Sequence, residues 1–245
     1  MSQLVDIPAI REFMEEILQQ VSREELISIA SDLEDKSSLF KQYLSPDVID
    51  DLTDDQLTEI IKTVFTMRRH YKGLIENTST IRLKKEIKTL LHGEAPPAER
   101  FQGFVDRVHG IDKLMKADLA GELLHFTFPE KFWLWSRWLW DPKNKTGALP
   151  LLTTEGFDLE SEIEGVMYMK VGKGVAFVHS VGEAGDFQFI GRSLFGTDVY
   201  MACVYVVYSY TVLKMRMTQE FNKVMPSLPE FSRRLLGVFK LPEKI

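Results

Sequence analysis

The stretch Ala117–Leu152, ADLAGELLHFTFPEKFWLWSRWLWDPKNKTGALPLL, holds every tryptophan of the chain. Trp133, Trp135, Trp138 and Trp140 fall within eight residues, directly after Phe126, Phe128 and Phe132. Aromatic side chains bury more area than any others, so a cluster this dense fixes where the rest of the chain must pack. The four tryptophans are spaced too irregularly to share one helix face, which predicts that at least one is partly exposed. Pro129 must break the helix that leads into the cluster. Beyond the cluster, Asp141-Pro142 to Gly147 reads as a polar turn, and Leu149 is held extended by Pro150.

Upstream, the apolar positions recur at three and four, the spacing of one helical face. Ile7, Ile10, Phe13, Met14, Ile17, Leu18 and Val21 predict a helix over Ile7 to Val21. Ser22 and Glu25 form a capping-box pattern that opens a second helix through Leu33, and Thr53 with Gln56 opens another that reaches Leu74. Between them, Ser45-Pro46 starts a short element through Leu52. Asn77–Thr80 reads as a loop, and Ile81–Leu91 as a basic helix that Gly93 ends through a positive φ. Pro96-Pro97 marks a linker. Arg100–Val108 and Leu114–His125 follow as helices, separated by His109-Gly110.

Downstream, Met167–Val171, Gly172-Lys173-Gly174 and Val175–Val181 fit two readings, a β-hairpin or short helices with a glycine break. Thr197-Asp198 is placed to cap a long helix from Val199 to Val224, and Phe231–Phe239 forms a last helix with Arg233 and Arg234 exposed. The expected fold is mainly α: a multi-helix globular domain with room for a small hairpin around residues 167–181. An N-terminal helical layer (1–93) precedes a unit (98–245) that carries the tryptophans and the long C-terminal helix, and the two can be one continuous domain.

The chain has 245 residues, 44% hydrophobic and 27% charged, enough for a core without covalent staples. Its single cysteine, Cys203, excludes an internal disulfide and fits a reducing compartment. The first residues carry Asp6, Arg11, Glu12, Glu15 and Glu16, unlike the apolar core of a secretory leader, and Val199–Leu213 is shorter than the roughly 20 residues of a membrane span. A cytoplasmic location without membrane contact is expected. Net charge is −6, unevenly spread: residues 1–60 carry fifteen acids against four bases, and residues 61–92 eight bases against Glu76 and Glu86. Such asymmetry marks either an electrostatic face or helices with complementary solvated sides.

Tests for chemistry are mostly negative. The five histidines and one cysteine form no metal-ligand spacing, Gly172-Lys173-Gly174 lacks the pattern of a phosphate loop, and Cys203 sits among apolar residues that raise a thiol pKa. No catalytic residue, metal or cofactor is expected. His125, inside Leu123-Leu124-His125-Phe126, must find a partner if buried. With Trp133, Trp135, Arg137, Trp138 and Trp140 it makes the candidate ligand or partner contact, since exposed tryptophan beside arginine is typical of interface hot spots and base-stacking platforms. Arg68, Arg69, Lys72, Arg82, Lys84, Lys85 and Lys88 make the candidate nucleic-acid face, because phosphate contact requires concentrated positive charge.

Gly110-Ile111-Asp112, Ala117, Leu119, Leu123-Leu124-His125-Phe126, Pro129, Phe132, Trp135 and Arg137 together resemble the helix-hairpin-helix region of DNA glycosylase-like proteins, and helical modules that accompany modification-dependent restriction ATPases. The resemblance covers about a sixth of the chain (residues 99–140) and implies a helical fold and proximity to nucleic acid. It does not imply catalysis. Asp112 stands where the second hairpin glycine would allow close approach to phosphate, and Ser136 stands where an aspartate often precedes the arginine. The expected function is therefore a non-enzymatic binding or accessory protein associated with DNA through its basic helical face. The alternatives are a protein-interaction scaffold or homo-oligomer, and an enzyme or small-ligand binder with a pocket lined by tryptophan and histidine.

Overall fold

The computed structural model describes residues 4–184, 190, 192–216, 225–239 and 241. Over these residues the chain forms eleven α-helices and one 3-10 turn, with no strand beyond two isolated bridges. The α-helices are α1 (Ile7–Gln20), α2 (Arg23–Tyr43), α3 (Asp54–Thr63), α4 (Tyr71–Asn77), α5 (Thr80–His92), α6 (Pro97–Arg107), α7 (Lys113–Thr127), α8 (Leu149–Leu152), α9 (Glu164–Ala184), α10 (Gly196–Arg216) and α11 (Leu228–Leu235). The mainly α, multi-helix fold expected from the sequence is the fold observed. Among the described residues no helix is long and apolar enough to cross a membrane.

Helix starts follow local chemistry. Asp6, Ser22, Thr53, Ser79, Asp112 and Ser227 each cap a helix by accepting a backbone N–H from its first turn. Only Thr53–Gln56 completes the reciprocal box. α7 is the central helix. It packs against α2, α5 and α6, while α6 lies on α9 and α10 lies on α1, α2 and α11. One buried apolar cluster runs from Val5 to Val238 without a break at residues 93–98.

Four local expectations are corrected. The hairpin over 167–181 does not form, because Met167–Val181 lies inside the continuous helix α9. Gly174 serves packing rather than a turn, since a Cβ there would stand 3.2 Å from both Leu149 and Phe157, while one on Gly172 would make ordinary contact with Trp133 at 3.6 Å. The helix from Thr53 stops at Thr63 instead of reaching Leu74. There the Thr63 hydroxyl bonds the Ile60 carbonyl, the Thr63 carbonyl turns toward the Lys36 ammonium, and the chain continues as the 3-10 turn Phe65–Arg69 before α4.

Gly93 does not end α5 through a positive φ, since its φ is −67°. Arg100 does that work, its guanidinium donating to the carbonyls of Leu90, Leu91 and Ala95. Leu149-Pro150 is helical rather than extended, because a proline in the first turn of α8 gives up only an N–H that would be unpaired there anyway.

Near the C-terminus, α10 begins at Gly196, and the expected continuation from Met217 to Val224 lies outside the described residues. Arg233, expected to be exposed, is instead mostly covered and ties α11 to α2 through Asp32, Glu25 and Ser28.

Candidate functional site

Asp118, Glu122 and His125 stand four and three residues apart on α7, so they line one helical face within its buried and largely apolar stretch from Ala117 to Phe126. Each meets a charged partner brought by a different part of the chain. The Asp118 carboxylate accepts the backbone N–H of Arg137 at 2.7 Å and its Nε at 2.8 Å. Glu122 Oε2 lies 2.5 Å from Lys36 Nζ of α2. His125 Nε2 lies 2.9 Å from Asp198 Oδ2 in the first turn of α10, and its Nδ1 is 2.7 Å from the Phe132 carbonyl. The Lys36 ammonium also donates to the Leu236 carbonyl at 2.8 Å and sits 4.1 Å from the Phe126 ring centroid.

Burial dominates the electrostatics of this row. It raises the Asp118 carboxyl to about 6 against the opposing pull of the Arg137 guanidinium. Burial likewise raises Glu122 and lowers Lys36, each opposed by the other's charge. It would lower His125 too, but the Asp198 carboxylate and the Phe132 carbonyl outweigh it and leave the imidazole above its ordinary value. Burial also pushes the Cys203 thiol up to about 12, which keeps it protonated beside Ser232. Side-chain exposure is 0% for Lys36, 1% for His125 and 3% for Asp198. Groups so closed to water hold helices in place and cannot touch a substrate atom in this conformation.

The aromatic segment folds back over this face. Gly121 lets it approach closely, since a Cβ there would stand 2.5 Å from that of Trp135. Trp135, Trp138 and Trp140 are buried. Trp133 is the partly exposed tryptophan, 5.1 Å from the His179 ring centroid. Arg137 turns inward to Asp118 rather than outward beside an indole. The candidate contact residues therefore do not converge: His125 belongs to the buried row, while Trp133 and Trp140 line two separate cavities. The Trp133 cavity, about 300 Å³, lies between the segment and α9. Asp141 forms an Asx turn, accepting the backbone N–H groups of Lys143 and Asn144.

The seven basic candidates divide. Lys84 donates to the carbonyls of Asp50 and Leu52 at 3.1 and 2.7 Å, and Lys88 pairs with Asp50, so both dock α5 onto the turn before α3. Arg68 is half-buried, close enough to the Lys36–Glu122 pair for its charge to bear on Lys36. Arg82 is exposed and donates to the Arg107 carbonyl at 3.1 Å, keeping its charge at the surface. Arg69, Lys72 and Lys85 are exposed with no side-chain partner among the described residues.

Sequence reasoning missed Lys36, Asp118, Glu122 and Asp198. The spacing of Asp118, Glu122 and His125 within an apolar helix was the available signal for three of the row's members. Lys36, in the polar run Glu34-Asp35-Lys36-Ser37-Ser38, carries no local sign of burial. Comparisons with protein families, curated proteins and solved structures find no match to this chain, so geometry alone supports a functional reading.

Proposed function

We propose that this is a non-enzymatic binding or accessory protein that associates with nucleic acid through Arg69, Lys72, Arg82 and Lys85. One observation carries the reading. These four cations are exposed, whereas of the two acids between residues 61 and 92 Glu86 is buried and paired with Arg107, which leaves Glu76 alone at the surface. Exposed cations of this kind, on a chain of net charge −6, are suited to phosphate backbones, where binding releases condensed counterions. The test is fluorescence anisotropy with labelled duplex and single-stranded DNA across a salt series. Binding should weaken steeply with salt and be lost in R69E/R82E/K85E while the thermal melt is unchanged. Binding that is absent, or insensitive to salt, overturns the reading.

A second reading, contact with a protein partner or another copy of the chain, is favoured by Ile163, Val166 and Met169, which lie three residues apart at the start of α9 and are 55%, 40% and 51% exposed. Sedimentation at high concentration tests self-association. A strict monomer counts against that form.

A further inference from the structure

We propose that the cleft between Phe132-Trp133 and α9 is a nucleotide subsite, taking an aromatic base against Trp133 and a phosphate within reach of Lys131 and Lys173. The cleft holds about 300 Å³, at the lower end of small-molecule sites. Its walls are Phe132, Trp133, Tyr168 and Met169, and Gly172 keeps α9 free of a side chain beside the indole, where a Cβ would lie 3.6 Å from Trp133 Cδ1 in ordinary contact.

The walls are held in place from behind. Tyr168 stacks on Phe101 with centroids 4.5 Å apart and its hydroxyl donates to the Trp133 carbonyl at 3.4 Å, while Trp133 also rests against His179. A preorganised indole is the kind of surface on which any base can stack, because every base presents a π-face.

Charge selects the rest of the ligand. Lys131 and Lys173 both line the cleft and both are exposed; Lys131 lies 5.6 Å from the Phe128 ring centroid with its charge bearing on Glu130, Lys173 lies 5.8 Å from the Phe177 ring centroid, and neither is in a salt bridge among the described residues. Two exposed ammonium groups beside an aromatic floor complement a planar group that carries a phosphate. The subsite shares no residue with the cationic face of residues 69–85 and stands or falls without it. Its ligand has two sources, a free nucleotide or an unpaired nucleotide within a strand.

The test is calorimetric titration of the full chain with AMP, and separately with short single-stranded oligoadenylate, alongside tryptophan fluorescence. Saturable binding with quenching is expected. K131E/K173E should weaken it by about tenfold or more through lost phosphate attraction. W133L should weaken it by a similar factor through lost stacking, with a thermal melt reporting that the variant is folded. The surface double variant carries the test if W133L does not fold. R69E/R82E/K85E should leave AMP affinity unchanged even if it abolishes duplex binding. Equal affinity for AMP and oligomer identifies a free-nucleotide site, and an oligomer preference identifies a strand site. Absence of saturable binding by both, or binding unaffected by K131E/K173E, overturns the proposal.

Discussion

Two regions of this molecule are rich in charge and treat it in opposite ways. Along α7, Asp118, Glu122 and His125 are sealed from water, and each is paired with a charged side chain, in Arg137, Lys36 and Asp198. In residues 65–92, Arg69, Lys72 and Lys85 remain in water without a side-chain partner among the described residues, and Lys84 and Lys88 serve as docking struts. Charge in the first region specifies which helices meet. In the second it is free to meet something else. Composition draws attention to the second region and hides the first, because an interior ion pair adds nothing to net charge.

The sharpest way to break this contrast is to remove one interior partner. Lys36→Met strands the Glu122 carboxylate in the core and should cost about 3–5 kcal/mol by urea denaturation, whereas K36M/E122L should return close to the wild-type stability. A single-variant loss below about 1 kcal/mol would place Lys36 among the ordinary solvated cations.

A smaller effect follows from pH. Between 3.8 and about 6, folded Asp118 keeps a proton that the unfolded chain has released, so its contribution to stability is present at low pH and lost as pH rises through about 6. A shift of this size corresponds to roughly 3 kcal/mol. His125, whose folded value is raised, contributes stability that is full below its ordinary 6.5 and is lost as pH climbs above that. Glu122, raised by burial to about 7, likewise contributes stability that is full below its ordinary 4.5 and lost as pH rises through about 7, whereas the lowered Lys36 acts with the opposite sign toward alkaline pH. Thermal melts should therefore fall from mildly acidic to mildly alkaline pH, and Asp118→Asn should flatten the lower part of that decline.

The struts come next. Lys84→Ala removes two hydrogen bonds to the turn before α3 and should cost about 1 kcal/mol, read as a shift in denaturation midpoint. Smallest of all, Lys85→Glu and Arg69→Glu should stay within about 0.5 kcal/mol of the wild type. If either one destabilises the fold as much as Lys84→Ala, the free surface cations are structural after all.

Where sequence and structure agree, the cause is local. Apolar spacing and capping residues placed α1, α2, α5, α6 and α7, since helix period and first-turn hydrogen bonds depend on residues three or four apart. The partial exposure of one tryptophan also followed from spacing alone. Disagreement arises where a distant group intervenes. Thr63 leaves the helix as its carbonyl turns toward Lys36, 27 residues away, and Gly174 reads as part of a turn until Leu149 and Phe157 supply the bulk that needs its missing side chain. Lys84 and Arg82 look alike in the sequence. Only their tertiary neighbours separate a strut from a cation left at the surface.

The reach of the Lys36 ammonium sets a limit on how this protein can be made. Its partners include Glu122, 86 residues further along, and the Leu236 carbonyl, 200 residues further along. On the ribosome, Lys36 emerges long before either, and α2 must wait with a solvated ammonium on a face meant for the interior. The N-terminal helices can adopt their shape early, but the layer that Lys36 bolts together closes only once residue 236 has emerged, so a chain stalled before residue 236 should be a target for proteolysis.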